Sequence, residues 1–155
     1  MKLSDLVQVC ADHGLDEKPT LAVYARFLRE AGRIPTEGRR TKAADMSPLH
    51  AARFITACMA TDNPSEAVRV EQVFSELQNS LDDRLAEYLA VLLEQTKRRY
   101  RIVVQRNRLA VTVRFDNEEV IFHSRQNSYK AGKDVSAYLR HDLFFAITNQ
   151  MKQEK

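Results

Sequence analysis

Residues 20–35 read TLAVYARFLREAGRIP, and this stretch decides how the first part of the chain folds. Its apolar side chains recur every three to four residues, which is the spacing of one face of an α-helix. Thr20 can cap the start of that helix, and Gly32 stands where a left-handed residue would end it. Pro35 prevents the helix from continuing. We therefore predict a helix from Thr20 to about Ala31.

Two further helices are predicted on either side of this stretch. Leu3 to His13 carries apolar residues at helical spacing, and Gly14 is well placed to end it. Ser47 followed by Pro48 is a capping residue and then a proline at the first helical position, so a third helix should begin there. Its apolar residues are numerous enough to pack over the first two helices.

Basic residues collect on and after the second predicted helix. Six of them stand against two acidic residues between positions 26 and 42. A helix of this length fits the major groove of B-DNA, and a basic loop that follows it can reach backbone phosphates. We expect Arg26, Arg29 and Arg33 on the exposed side of the helix. The loop after it carries Arg39, Arg40 and Lys42. The predicted DNA contacts are Lys18, Thr20, Arg26, Arg29, Arg33, Arg39, Arg40 and Lys42.

Residues 25–35, ARFLREAGRIP, resemble the Leu-Arg-Tyr-Tyr-Glu-x-x-Gly-Leu-Ile-Pro stretch of the MerR-type winged helix-turn-helix family. Arg39 and Arg40 fall where the wing of that family begins, and residues 46–55 resemble the helix after the wing. The N-terminal segment is also similar to small DNA-binding proteins of phages and prophages. The resemblance implies a winged helix-turn-helix domain over residues 1–63, with Arg26 in the major groove and the loop arginines near phosphates.

The remainder of the chain, residues 64–155, is predicted to form an α+β domain. The turn residues, proline and capping serine of Asp62-Asn63-Pro64-Ser65 mark the boundary. Apolar residues recur at helical spacing over residues 68–77 and again over residues 81–96, which predicts one helix in each range.

The hydrophobic period then changes from that of a helix to that of a strand. Apolar residues alternate with other residues in 109–115, and turn sequences occur at 106–108 and 116–117. These features predict a three-stranded antiparallel meander over residues 99–124. A last helix from Asp134 to Met151 should cover one face of that sheet.

Charge is unevenly distributed along the chain. Residues 1–61 carry nine basic and seven acidic groups, residues 62–96 two and eight, and residues 97–155 thirteen and six. The last segment opens with a run of basic residues in which no acid occurs, and which can contact DNA or an acidic partner, or can pair with the acidic helices of residues 66–94. Both interpretations stay open for this second basic surface, which consists of Lys97, Arg98, Arg99, Arg101, Arg106 and Arg108.

Catalytic and cofactor sites are not predicted. Cys10 and Cys58 are far apart and lack the spacing of a zinc site, so we expect both to be reduced and mostly buried. The histidines and glycines form no metal cluster, nucleophile elbow or phosphate loop. No apolar run is long enough to span a bilayer, and residues 1–13 lack the apolar core of a signal peptide, so a cytoplasmic location without membrane contact is expected.

These observations favour a sequence-specific transcriptional regulator that binds double-stranded DNA as a homodimer. Residues 65–155 would dimerise it, because one short helix supplies few base contacts. Two alternatives remain: a phage DNA-packaging or replication subunit, and a protein-interaction module with a basic C-terminal hairpin.

Overall fold

Helices and one antiparallel sheet make up the described part of this computed structural model, which covers residues 1–36, 45–95, 99–124, 136–139 and 141–153. The predicted α+β class is confirmed. The helices are α1 (Leu3–Asp12), α2 (Lys18–Glu30), α3 (Pro48–Ala60), α4 (Ala67–Ser75), α5 (Leu85–Glu94) and α6 (His141–Gln153), with short 3-10 turns at Pro64–Glu66 and Arg106–Arg108. The strands are β1 (Arg101–Gln105), β2 (Ala110–Arg114), β3 (Glu119–His123) and β4 (Ser136–Leu139).

The ends of the first helices follow from local chemistry. α2 begins at Lys18 with Glu17 as its capping residue, so the prediction that Thr20 caps this helix is wrong by three residues. After α2 the backbone at Gly32 takes a φ of 67°, the left-handed conformation that ends a helix. The N–H of Gly32 donates to the carbonyl of Arg29, and that of Arg33 to the carbonyl of Leu28. This pair of hydrogen bonds confirms the predicted helix end.

α3 is the central helix of the fold. Its start is as predicted, since the Ser47 hydroxyl accepts a hydrogen bond from the backbone N–H of His50. Every residue from Phe54 to Ala60 is buried, because α3 packs most extensively on α4 and α5 and less on α2. The expected packing on the earlier helices is thus present at α2, but most of the buried surface of α3 lies against α4 and α5.

One continuous hydrophobic core runs from Met1 to Ile147. It includes buried residues on both sides of the predicted domain boundary at 63/64, among them Met59 and Phe74. Cys10 and Cys58 belong to this core and are buried as expected, and burial raises the pKa of the Cys10 thiol to about 12. No helix within the described ranges has the length and apolar content needed to cross a membrane.

The sheet has four strands in the order β3-β2-β1-β4, all antiparallel, where three were predicted. The extra strand is β4, in a segment predicted to begin the last helix; α6 starts only at His141. Tyr138 of β4 lies opposite Val103 of β1. The helical spacing of apolar residues after Asp134 is overridden because β1 offers an unpaired edge whose N–H and C=O groups need partners.

One face of the sheet packs against helices, and the opposite, solvent face carries the exposed side chains, although Ala110 and Thr112 in its middle strand are buried. Ile102, Val104, Val111 and Phe122 point inward and are buried. Aromatic contacts join this face to the helices: the Tyr88 and Phe122 ring centroids lie 5.1 Å apart, and those of Tyr100 and Phe144 lie 5.4 Å apart.

Candidate nucleic-acid interface

An exposed stripe along α2 carries basic side chains. Lys18, Ala22, Arg26 and Glu30 are spaced four residues apart and are all exposed, so they lie on one face of the helix. The opposite face is anchored in the core by the buried residues Leu21, Tyr24, Ala25 and Leu28. The Tyr24 hydroxyl also donates a hydrogen bond of 2.7 Å to the carbonyl of Thr61. The core therefore fixes which side of α2 faces solvent.

Arg26 is an exposed cation near the end of this stripe. Its side chain is 57% exposed, and its Nε lies 3.9 Å from Oε1 of Glu30. The guanidinium carbon sits 5.0 Å from the centre of the Phe27 ring. Because an exposed ion pair of this kind contributes at most about 1 kcal/mol, Arg26 can exchange Glu30 for a phosphate or a guanine edge at little cost.

The other predicted contacts on α2 differ in exposure. Lys18 is exposed in the first turn, and its Nζ donates a hydrogen bond of 2.6 Å to Oε1 of Gln8 on α1. Thr20 and Arg29 are half-buried. Arg29 lies one turn beyond Arg26, near the end of the helix.

Arg33 does not point outward as predicted. The chain reverses at Gly32, and the Arg33 guanidinium then reaches Glu71 on α4, with Nε donating to Oε2 at 2.6 Å and Nη2 to Oε1 at 3.0 Å. The Glu71 side chain is fully buried. These hydrogen bonds raise the pKa of Arg33. Arg33 thus joins the end of α2 to α4 inside the molecule.

Further polar contacts surround the Glu71 carboxylate. The Ser75 hydroxyl donates to Oε1, and Nε of Arg53 on α3 lies 3.9 Å from the same oxygen. Arg53 also donates a hydrogen bond of 3.2 Å from Nη1 to the carbonyl of Arg33. The cluster connects three helices, and its hydrogen bonds offset the cost of removing a carboxylate from water. Helical periodicity alone could not reveal that Glu71 pairs with a residue 38 positions away.

The predicted wing residues Arg39, Arg40 and Lys42 lie outside the described residues. The described chain resumes at Asp45, which pairs with Lys2 as an isolated antiparallel bridge. Nζ of Lys2 lies 2.6 Å from Oδ1 of Asp45, and the N–H of Met46 donates to the carbonyl of Met1 at 2.9 Å. The start of α3 is therefore held against the N-terminus of the chain.

The second predicted basic surface is divided between different places. Lys97 and Arg98 lie outside the described residues. Arg106 turns inward, because Nη1 and Nη2 bind both carboxylate oxygens of Asp62 and Nε donates to the carbonyl of Met59 at 2.8 Å. These hydrogen bonds lower the pKa of Asp62. Of the two interpretations left open for this run, Arg106 therefore follows neither in full: it is paired within the protein, but with Asp62, which precedes the acidic helices of residues 66–94.

The remaining arginines of this run lie at opposite ends of β1. Arg108 is exposed in the 3-10 turn that follows the strand. Arg99 and Arg101 are exposed at its start. There Arg101 lies directly opposite Arg114 of β2, and Nε of Arg114 lies 3.1 Å from Oε2 of Glu119 on β3.

Arg99, Arg101 and Arg114 line a concave site of about 640 Å³ at this end of the sheet. Its wall also includes Tyr138 and one carboxylate, Asp116. Sequence reasoning missed Arg114 and Tyr138 as candidate site residues. The alternation of residues 109–115 did place Arg114 on a solvent face, whereas Tyr138 was assigned to a helix.

Comparisons with family models, with curated proteins and with solved structures find no match to this chain. Among the described residues, no group of three or more His, Cys, Asp or Glu side chains is arranged to hold a metal ion. The ligands of the α2 stripe and of the arginine-lined site on the sheet must therefore be inferred from geometry and charge.

Proposed function

We propose that this protein binds double-stranded DNA through the exposed stripe of α2 and regulates transcription. The observation that supports this most is the stripe itself: Lys18, Ala22 and Arg26 face solvent on a helix whose other side is held in the core. The proposed activity needs neither a cofactor nor a catalytic step.

The dimensions of the stripe suit a DNA groove. Lys18 and Arg26 are eight residues apart, which is about 12 Å along a helix axis at 1.5 Å per residue. The major groove of B-DNA is also about 12 Å wide, so the two cations can address both groove walls or one wall and a base edge. Ala22 lies between them, and its small side chain allows the helix to approach the bases closely.

The proposed dimer would use apolar side chains left exposed outside α2. Most leucines of residues 81–93 are buried in the protein's own core and cannot form the interface. Large apolar side chains that remain exposed include Leu81, Val91 and Phe145, at 80%, 50% and 44%. A dimer that buries these residues would present two α2 helices to two half-sites of DNA.

The proposal is tested by measuring affinity for a labelled library of random DNA duplexes by fluorescence anisotropy. The measurement is made before and after selection for bound sequences. We expect Arg26→Ala to weaken duplex binding and to lower the slope of log affinity against log salt by about 0.9 if it removes one phosphate contact. The matched control is Arg69→Ala, since Arg69 is also an exposed helical arginine paired with an exposed acid, Glu66. Equal effects of the two changes would contradict the placement of DNA on α2.

A further inference from the structure

The solvent face of the sheet has an unusual charge arrangement at one end. Arg101 and Arg114 are direct cross-strand neighbours, and like charges in this position destabilise a sheet. Arg114 forms an exposed ion pair with Glu119, which is weak enough to leave Arg114 open to another anion. Arg101 and Arg99 have no ion-pair partner among the described residues. An anion bound between these arginines would remove the repulsion, so the site favours a negatively charged ligand.

An exposed aromatic ring borders the same site. Tyr138 of β4 is 67% exposed, whereas the next residue in the strand, Leu139, is buried opposite Ile102 of β1. Its ring therefore stands on the solvent face, one strand away from Arg101. A large apolar ring left in water on a sheet face is a candidate contact surface for a flat ligand.

The combination of arginines with an exposed ring matches one ligand class better than the others. Phosphates of a single-stranded nucleic acid would pair with the arginines, while an unstacked base would lie on the Tyr138 ring. In a duplex the base faces are covered by their neighbours and cannot reach such a ring. A site of about 640 Å³ also has room for one nucleotide, since pockets for small ligands span roughly 300–1,000 Å³.

We propose that the solvent face of this sheet binds single-stranded nucleic acid, with Tyr138 stacking on a base and Arg99, Arg101 and Arg114 contacting the phosphates. This site is separate from the duplex surface on α2, and it does not depend on that proposal. A protein with both sites could hold a duplex and a neighbouring single strand at once.

The experiment measures anisotropy of a short labelled oligothymidylate with the full chain. Tyr138→Leu keeps apolar area but removes the ring, and we expect it to weaken binding about tenfold, within the range measured for loss of one stacked base. Tyr138→Phe keeps the ring and should stay within about twofold of the unmodified protein. Since Tyr138 is exposed, neither change should alter the far-ultraviolet circular dichroism.

The charged part of the site is tested by salt titration. Arg101→Gln should reduce the slope of log affinity against log salt by about 0.7, the value for one phosphate contact to a single strand. Arg69→Gln, on α4, is the matched control and should leave the slope unchanged. Unlabelled poly-glutamate should displace the oligonucleotide far less well than unlabelled oligothymidylate does.

Three results would overturn the proposal: no oligonucleotide binding, equal affinity for Tyr138→Leu and the unmodified protein, or displacement by poly-glutamate as effective as by the oligonucleotide. The last would identify the site as one for an acidic protein. The two proposals fail separately, because Arg26→Ala should leave single-strand binding intact and Tyr138→Leu should leave duplex binding intact.

Discussion

Arg33 and Arg26 show how similar arginines, seven positions apart, take different roles. Arg26 is held by exposed contacts with Glu30 and with the Phe27 ring, whereas Arg33 meets the buried carboxylate of Glu71 through two hydrogen bonds. The first arrangement leaves the cation available to a ligand. The second contributes to the fold, because breaking a buried pair leaves an uncompensated charge in a site of low polarity.

We expect Arg33→Met to lower the free energy of unfolding by about 3–5 kcal/mol near neutral pH, as is typical when one partner of a buried pair is lost. Urea denaturation measures this change. Arg69→Met serves as the control, since its partner Glu66 is exposed and the loss should stay below about 1 kcal/mol. Similar losses for the two variants would show that the Arg33 contact behaves as a surface ion pair.

Individual residues were predictable from the sequence where their role is local. The capping serine Ser47 and the left-handed Gly32 follow from neighbours within four positions, and both are confirmed. The direction of Arg33 and Arg106 could not be predicted, because their partners Glu71 and Asp62 are brought near only by the complete fold. The DNA contacts proposed for α2 stay a prediction.

The turn that ends α2 also determines where the Arg33 side chain points. The φ of 67° at Gly32 lets the chain reverse within two residues, and this reversal directs Arg33 toward α4. The turn after α1 has the same construction, with Gly14 at a φ of 71° and with hydrogen bonds from Gly14 to Ala11 and from Leu15 to Cys10.

Gly32→Ala should lower the free energy of unfolding by about 1 kcal/mol, because a residue with a Cβ adopts the left-handed conformation at that cost. Among the described residues, no atom beyond Gly32 and its two chain neighbours lies within 4 Å of the added Cβ, so strain rather than a clash sets the magnitude. Denaturant titration checks it. Gly14→Ala is the matched comparison with the same expected loss, and a negligible effect at both turns would contradict this account of the helix ends.

Helices were easier to predict than strands for a physical reason. A helix satisfies its own backbone groups, so its periodicity and caps are local signals. A strand depends on a partner, and β4 is short, lies beside β1 and carries apolar residues whose spacing also suits a helix. Its pairing with a strand more than thirty positions earlier leaves no local signal.

For the whole molecule, the continuous core has consequences for how the protein unfolds. α3 belongs to the predicted N-terminal domain, yet it packs most extensively on α4 and α5 from the other side of the predicted boundary. The charge segments and the fold class were predictable from composition and periodicity. The way the segments share one core was not, because it depends on packing between distant helices.

We expect one cooperative unfolding transition for the full chain, with coincident midpoints by far-ultraviolet circular dichroism and by tyrosine fluorescence. The physical reason is that neither residues 1–63 nor residues 64–155 enclose a separate core among the described residues. Two resolved transitions would contradict this and would support independent domains. As a control, the isolated fragment 1–63 should show much less helix than its share of the full-length spectrum.

The burial of both cysteines makes this chain suitable for site-directed labelling. Burial raises the pKa of both thiols, so neither should react quickly with maleimides in the folded protein. The sequence also contains no tryptophan. A dye attached through Ala22→Cys, or a single tryptophan introduced beside Tyr138, would therefore report from one known position on each proposed surface without background from native residues.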